Sequence, residues 1–517
     1  MTEFTYGSAP RDVYLPSGLL RALLTQRCGY SVPGVQLVTV EIEIKLRLLE
    51  KPNDLSCAVE YSVPSSEEPL YRVCISNNLY VIYDVAVMDE KFIKEIEKLR
   101  DKLYDVIVGD VSISDFLDSI RDPRLKHIVE RQYAGYGVLE AFLADPNIIN
   151  VHVMPGKPVQ VIHKEYGRLQ TNVVLSMDET AEIAMRIAAA AGKPLSEAIP
   201  LASFIEPRYD ARVTVIYQSD VTLKRGMVID IRKPPSRPMT ILKLIKLGSL
   251  SIEEAAFLWL MIKYRAPVII VGEVFTGKTT LATALASLIP PGARILTAED
   301  APEFRIPAMY WVRTTTREYG EYTVTYFDLL KTGVRLSLDY IIIGEIRGEE
   351  AREWAQSILL GHGAITTFHA ESPEAALLRL LAPPISIDPQ VVKLLNVFVK
   401  TNVVEKEPGV RVFRHEVFLV EEGMTKPLFV YDKASDKIVL NQDIREVFDK
   451  YKFIDRITLA HHVTRGELYQ EYLAMVKALE EALEEAAKTD PTLETPLFTD
   501  IPKILYSKLE KYKTKAL

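Results

Sequence analysis

The sequence predicts an α/β chain of several domains, and three observations predict it. Apolar strand patterns alternate with helical patterns from Ile241 to about Pro408. A strand, a glycine-bearing loop and a helix-forming run follow one another at 268–286. The prolines of 232–238 break the chain ahead of both, because each removes a backbone donor and fixes φ. The 517 residues are 48% hydrophobic and 26% charged, a globular composition too long for one core, so two to four domains are expected.

Charge and cysteine content narrow the function. With 62 Lys and Arg against 70 Asp and Glu the net charge is -8, which argues against a general nucleic-acid binder, since phosphate-backbone binding needs clustered positive charge. Cys28, Cys57 and Cys74 stand without a CxxC pair. That count excludes a disulfide scaffold and a four-thiolate zinc site, and it fits reduced thiols in a cytosol. Met1 to Asp12 carries acids and no apolar signal region, and the runs Ala255–Ile262 and Ala266–Val271 fall far short of the ~18–20 residues that cross a bilayer. No direct transmembrane insertion is expected, and any membrane role must come through a partner.

The elements follow in order. From Val38 to Leu48 apolar and polar side chains alternate strictly, which predicts a half-buried strand. Ala58–Val63, Tyr71–Ile75 and Leu79–Val85, the last after a Ser76-Asn77-Asn78 turn, extend this into a β-rich N-terminal module over 1–87. Asp89–Tyr104 changes to helical spacing, and helix is expected on to about Tyr133. Strands at Ile149–Val153, Val159–His163 and Val173–Leu175 and a helix at about Asp178–Ala191 make 88–232 a mixed α/β domain. A linker over 233–240, a nucleotide-binding domain over 241–430 and a helical extension over 431–517 complete the chain. In that extension Leu468, Tyr472, Met475, Leu479 and Leu483 form one stripe, expected to pack on its own core rather than on another subunit.

The chemistry centres on Gly272-Glu273-Val274-Phe275-Thr276-Gly277-Lys278-Thr279-Thr280, a GxxxxGK[ST] loop between the buried-strand run Val268–Val271 and the helix former Leu281–Ala286. Glycines at both ends let the backbone N–H groups curl around phosphates, and the following helix N-terminus adds its dipole. Lys278 then reaches the β- and γ-phosphates, and Thr279 offers a hydroxyl to Mg²⁺. Hydrolysis also needs an acid near the γ-phosphate. Asp339–Ile343 is an apolar strand leading to Glu345, with Gly344 where the usual Walker B Asp would stand. Ile295–Asp300 is a second apolar strand, ending in Glu299 and Asp300. The fold class is therefore a P-loop NTPase domain of RecA-like type joined by a flexible linker to a mixed α/β domain, with the extra β-rich module in front.

These residues resemble the secretion ATPases of type II and type IV systems, specifically the archaeal branch that powers assembly of type IV pilus-like filaments and the archaellum. Four boxes stand in family order: the Walker A loop, Ile295–Glu303 like the Asp box, Asp339–Glu350 like the Walker B region, and Gly361–Ala370 like the His box. Upstream, Gly135–Leu139, Asp145–Ile148, Val161–His163, Thr171–Val173 and Arg225–Lys233 resemble the family's N-terminal domain. The likeness covers about 90–420, and the four-cysteine zinc motif of bacterial type II secretion ATPases is missing. The resemblance implies that Lys278 and Thr279 bind ATP and Mg²⁺, with Glu345 beside the metal, and that Glu345 and Glu299 polarise the attacking water. It implies that His369 senses the γ-phosphate, and that Arg208, Arg212 and Arg232 complete the site, with Arg347 inside the Walker B continuation. On residue type alone His369 reads more simply as a structural histidine. The implied machine is a homo-hexamer on the cytoplasmic face of the membrane, docked beneath an integral membrane platform protein. Two other readings fit a P-loop chain: a DNA-translocating motor or kinase, and a nucleotide-dependent assembly scaffold without catalysis, which the missing Walker B Asp suggests.

Overall fold

Apolar runs build a nine-stranded sheet in each of two units, one within 1–235 and the other within 236–517. The computed structural model describes residues 48–49, 51–52, 56–64, 69–76, 78–88, 112–220, 226–234, 238–273, 276–300, 303–317, 323–346, 348, 350–407, 410–493 and 498–516. The strand expected over Val38–Leu48, Leu48 excepted, the helix over Asp89–Tyr104, and Val274, Phe275, Arg225 and Arg347 lie outside the described residues.

In the first unit the strands are β1 (Val59–Val63), β2 (Tyr71–Ser76), β3 (Leu79–Asp84), β4 (Ile148–Val153), β5 (Pro158–His163), β6 (Gly167–Val174), β7 (Leu201–Glu206), β8 (Ala211–Ile216) and β9 (Val228–Arg232). Their order is β1-β2-β3-β6-β5-β4-β9-β8-β7. One sheet therefore runs through both the stretch read as a separate β-rich module and the domain after it, joined where β3 pairs in parallel with β6. β6 begins at Gly167 rather than Val173, because its buried positions alternate as Leu169, Thr171 and Val173 and the threonine hides the pattern. The helix Met177–Ala190 starts at a Ser176–Glu179 capping box and lays Ile183, Ala184, Ile187 and Ala188 on the sheet. Beneath β3, the Arg131 guanidinium grips Asp84 through two bonds of 2.6 and 2.8 Å, with both side chains essentially out of solvent.

The expectation of reduced cysteines is corrected at one pair: Cys57 and Cys74 form a disulfide. Count and spacing carry no trace of it, and strand register does not give it either. Glu60 lies opposite Cys74 across β1 and β2, and Cys57 comes from the bend just ahead of β1, where the Ala58 N–H donates to the Ile75 carbonyl and the Cys57 and Cys74 Cα atoms are 5.3 Å apart.

In the second unit the strands are β10 (Val268–Gly272), β11 (Arg294–Glu299), β12 (Tyr310–Thr315), β13 (Tyr340–Ile343), β14 (Gly363–His369), β15 (Val397–Glu407), β16 (Val410–Glu421), β17 (Met424–Asp432) and β18 (Lys437–Leu440), in the order β12-β11-β13-β14-β10-β15-β16-β17-β18. The first six are mutually parallel, and the last three add antiparallel hairpins. The parallel strands read as continuous apolar runs because helices cover both faces. Val268 and Ile270 point to the side of the helices Ile252–Lys263, Lys278–Ala286 and Arg465–Thr489, while Ile269 and Val271 point to the side of Glu350–Leu359 and Pro373–Leu381. The stripe Leu468, Tyr472, Met475 and Leu479 is buried in that same core. No described helix is long and apolar enough to cross a membrane.

Candidate functional site

The parallel order sends the carboxyl ends of β10, β11, β13 and β14 to one edge of the sheet, where ligands of open α/β sheets bind. Register fixes the level of each group. Gly272 stands opposite His369, and Ala298 opposite Ile343, so Glu299 is level with Gly344 and Glu345 follows one residue on.

The loop after β10 is held by hydroxyls. Thr276 Oγ1 donates to the Glu273 carbonyl (2.9 Å) and meets Thr401 Oγ1 at 2.7 Å, and Thr401 in turn donates to the Val271 carbonyl (3.1 Å). Gly272 is obligatory here, since a Cβ would collide with Thr401 Oγ1 and lie 2.6 Å from Thr276 Oγ1. Gly277 has φ +83° and no side chain to cap the helix Lys278–Ala286, so the first-turn N–H groups are left to an anion. Thr279 is half-buried at the second helical position and Thr280 is exposed.

Lys278 lies under the loop, its Nζ donating to the carbonyls of Gly272 (3.1 Å) and Glu273 (2.5 Å) and 3.3 Å from His369 Nδ1. The other ring nitrogen, Nε2, is 3.4 Å from Glu345 Oε1. Lysine, histidine and glutamate thus form one chain of contacts across β10, β14 and β13. Burial pulls the Lys278 ammonium below the usual lysine range, against the attraction of Glu345. The Thr279 hydroxyl and the Glu345 carboxylate are hard oxygen ligands of the kind Mg²⁺ takes alongside substrate phosphates. Among the described residues no cluster of three or more His, Cys, Asp or Glu makes a metal cage.

Glu299 is 2% exposed. Burial raises its pKa to about 7, although the N–H groups of Glu303 (2.6 Å) and Phe304 (2.8 Å) bond Oε2 and Arg313 Nε stands 3.9 Å from Oε1. A carboxyl titrating near neutrality at a strand tip suits proton transfer.

The arginines lie in the first unit. Arg212 on β8 and Arg232 on β9 are direct cross-strand partners, an unfavourable pairing of like charge for a sheet by itself. Arg208 is committed within its own unit, donating to Glu140 (2.7 Å) and Glu130 (2.8 Å). Sequence reasoning missed Thr401, which packs against Gly272, and the long β15–β16 hairpin that carries it. Arg414 beside Val412 and His415 beside Phe413 mix polar groups into both faces and conceal the strand.

An uncharacterized protein of Methanocaldococcus jannaschii is 32% identical over 66% of this chain and 64% of its own length. The type IV secretion system protein VirB11 of Bartonella quintana is 28% identical over 46% of this chain and 76% of its own. The solved ATPase DotB of Legionella pneumophila aligns over 66% of this chain and 91% of its own, at 18% identity and a TM-score of 0.41. The chain thus spans somewhat under two thirds of the first of these relatives. Residues 133–400, over half of the 517, match the family described as type II/IV secretion system protein, and the chain belongs to that family.

Proposed function

We propose that this chain is a Mg²⁺-dependent ATPase whose ring of six copies powers assembly of a type IV pilus-like filament, or secretion, through an integral membrane platform protein at the cytoplasmic face of the membrane. The observation that carries the reading is the contact chain Lys278–His369–Glu345 at the strand tips, with Glu299 one strand further on. Lys278 would hold the β- and γ-phosphates, and Thr279 and Glu345 would hold the metal, which supplies charge neutralisation on the phosphates when bound. Glu345 and Glu299 would orient and deprotonate the attacking water, and His369, touching both Lys278 and Glu345, would report whether a γ-phosphate stands between them.

Arg212 and Arg232, side by side on adjacent strands, would offer two planar guanidinium forks to the phosphate oxygens. Arg208, tied to two glutamates, would need to exchange them for phosphate. Closure of the first unit on the second through the 233–240 stretch would then convert nucleotide binding into a stroke, provided that ATP binds the closed state more tightly.

The test is steady-state phosphate release and sedimentation of full-length chain with Mg²⁺-ATP. The reading predicts turnover and a six-copy species, and Lys278→Ala lowering turnover by roughly 100-fold or more. Assembly with ATP but no phosphate release would replace it with the non-catalytic scaffold.

A further inference from the structure

The phosphate loop accounts for one end of a nucleotide, and the hairpin beside it accounts for the other. This step rests on the nucleotide reading above. Glu345 and His369, on β13 and β14, lie to one side of β10, and the terminal phosphate belongs with them. A triphosphate running along the loop therefore leaves its nucleoside on the opposite side of β10, over β15 and β16.

That side carries an overhang. β15 pairs with β10 only as far as Lys400 opposite Val271, yet it continues to Glu407 paired with β16. Thr401 turns its hydroxyl to the loop, so by the two-residue period of a strand Val403 faces the same way. Its direct cross-strand partner is Phe413. Both are large apolar side chains left 37% and 38% exposed beyond the sheet. The Phe413 ring also abuts the phosphate loop: a methyl group placed on Gly277 would lie 3.4 Å from its Cδ1 and 3.6 Å from its Cε1. Val403, Lys400 and Asn402 line, with Gly272, Glu273 and Thr276, a cleft of about 710 Å³, within the size range of small-molecule sites, and Phe413 stands next to Val403 outside that lining.

We propose that Phe413, flanked by Val403, is the platform on which the base of the bound nucleotide stacks. The pair offers a π-face and a methyl surface but no donor or acceptor, so it holds a base by its ring plane rather than its edge. Stacking of this kind accepts any base, and ATP and GTP should respond alike to changes at the platform.

Equilibrium titration of the full chain with ATP and with inorganic tripolyphosphate, both with Mg²⁺, separates the base from the phosphates. Phe413→Ala is expected to weaken ATP roughly 10- to 100-fold and leave tripolyphosphate unchanged, and Phe413→Trp to restore ATP. Unchanged ATP affinity in Phe413→Ala, equal loss of both ligands, or a tryptophan variant as weak as the alanine one would overturn the platform. Wild-type chain that binds neither ligand would instead sink the phosphate-loop reading itself, whereas tight tripolyphosphate binding with no gain from the nucleoside would sink the platform alone.

Discussion

At the residue scale Glu299 is the most informative side chain, because its burial works against its charge. Its folded pKa of about 7 lies above the carboxyl's ordinary 4.5, so ionising it costs the folded chain. That cost is absent below about pH 4.5 and complete above about 7, and stability falls as pH rises through this window. Glu299→Gln keeps a carbonyl to accept from Glu303 and Phe304 and removes the charge. It is expected to raise unfolding stability at pH 8 by up to ~3 kcal/mol and to lower phosphate release, the residual rate losing its rising limb near neutral pH. Chemical denaturation at pH 5 and pH 8 checks the first; a variant no more stable than wild type at pH 8 would contradict it. The placement of Glu299 and His369 at the ends of β11 and β14, and of Glu345 two residues past β13, was legible from their boxes. Phe413 and Thr401 were not, because their role comes from a hairpin overhanging the loop and no local pattern encodes that.

Elements were legible where one period held. The run Val268–Val271 and the loop after it announced strand, turn and helix, and the stripe at Leu468–Leu479 announced a helix packed inward. The Cys57–Cys74 bond was not legible, because it depends on how the chain bends just ahead of β1 and no local pattern encodes that. Thiol titration of denatured chain without reductant is expected to find one free cysteine of the three, and three would contradict the pairing. The C-terminal helices are fastened to the nucleotide unit by polar contacts as well as by the stripe. Glu471, 7% exposed, receives Lys263, Lys513 (2.6 Å) and the Tyr264 hydroxyl (2.6 Å). Glu471→Ala leaves two ammonium groups and a part-buried hydroxyl without their acceptor, and thermal unfolding should report a loss of ~1.5–3 kcal/mol. A change within error would mean that these helices are held by apolar packing alone.

At the scale of the whole molecule, the boundary expected near residue 87 meets a sheet that does not stop there. Removing 1–87 would strip β1, β2 and β3 from β6 and take Asp84 from Arg131, leaving a buried guanidinium without its partner at a cost of ~3–5 kcal/mol. A chain beginning at residue 88 should therefore lose the cooperative unfolding transition of its first unit; retention of that transition would show β1–β3 to be dispensable. The central claim, that the tips of β10, β11, β13 and β14 break a terminal phosphate bond, is tested most directly by phosphate release from Glu345→Gln under saturating Mg²⁺-ATP. The account predicts that ATP binding persists while release falls by two or more orders of magnitude, on the order of the loss when a group acting in the transition state is removed. Release at the wild-type rate from that variant would contradict it.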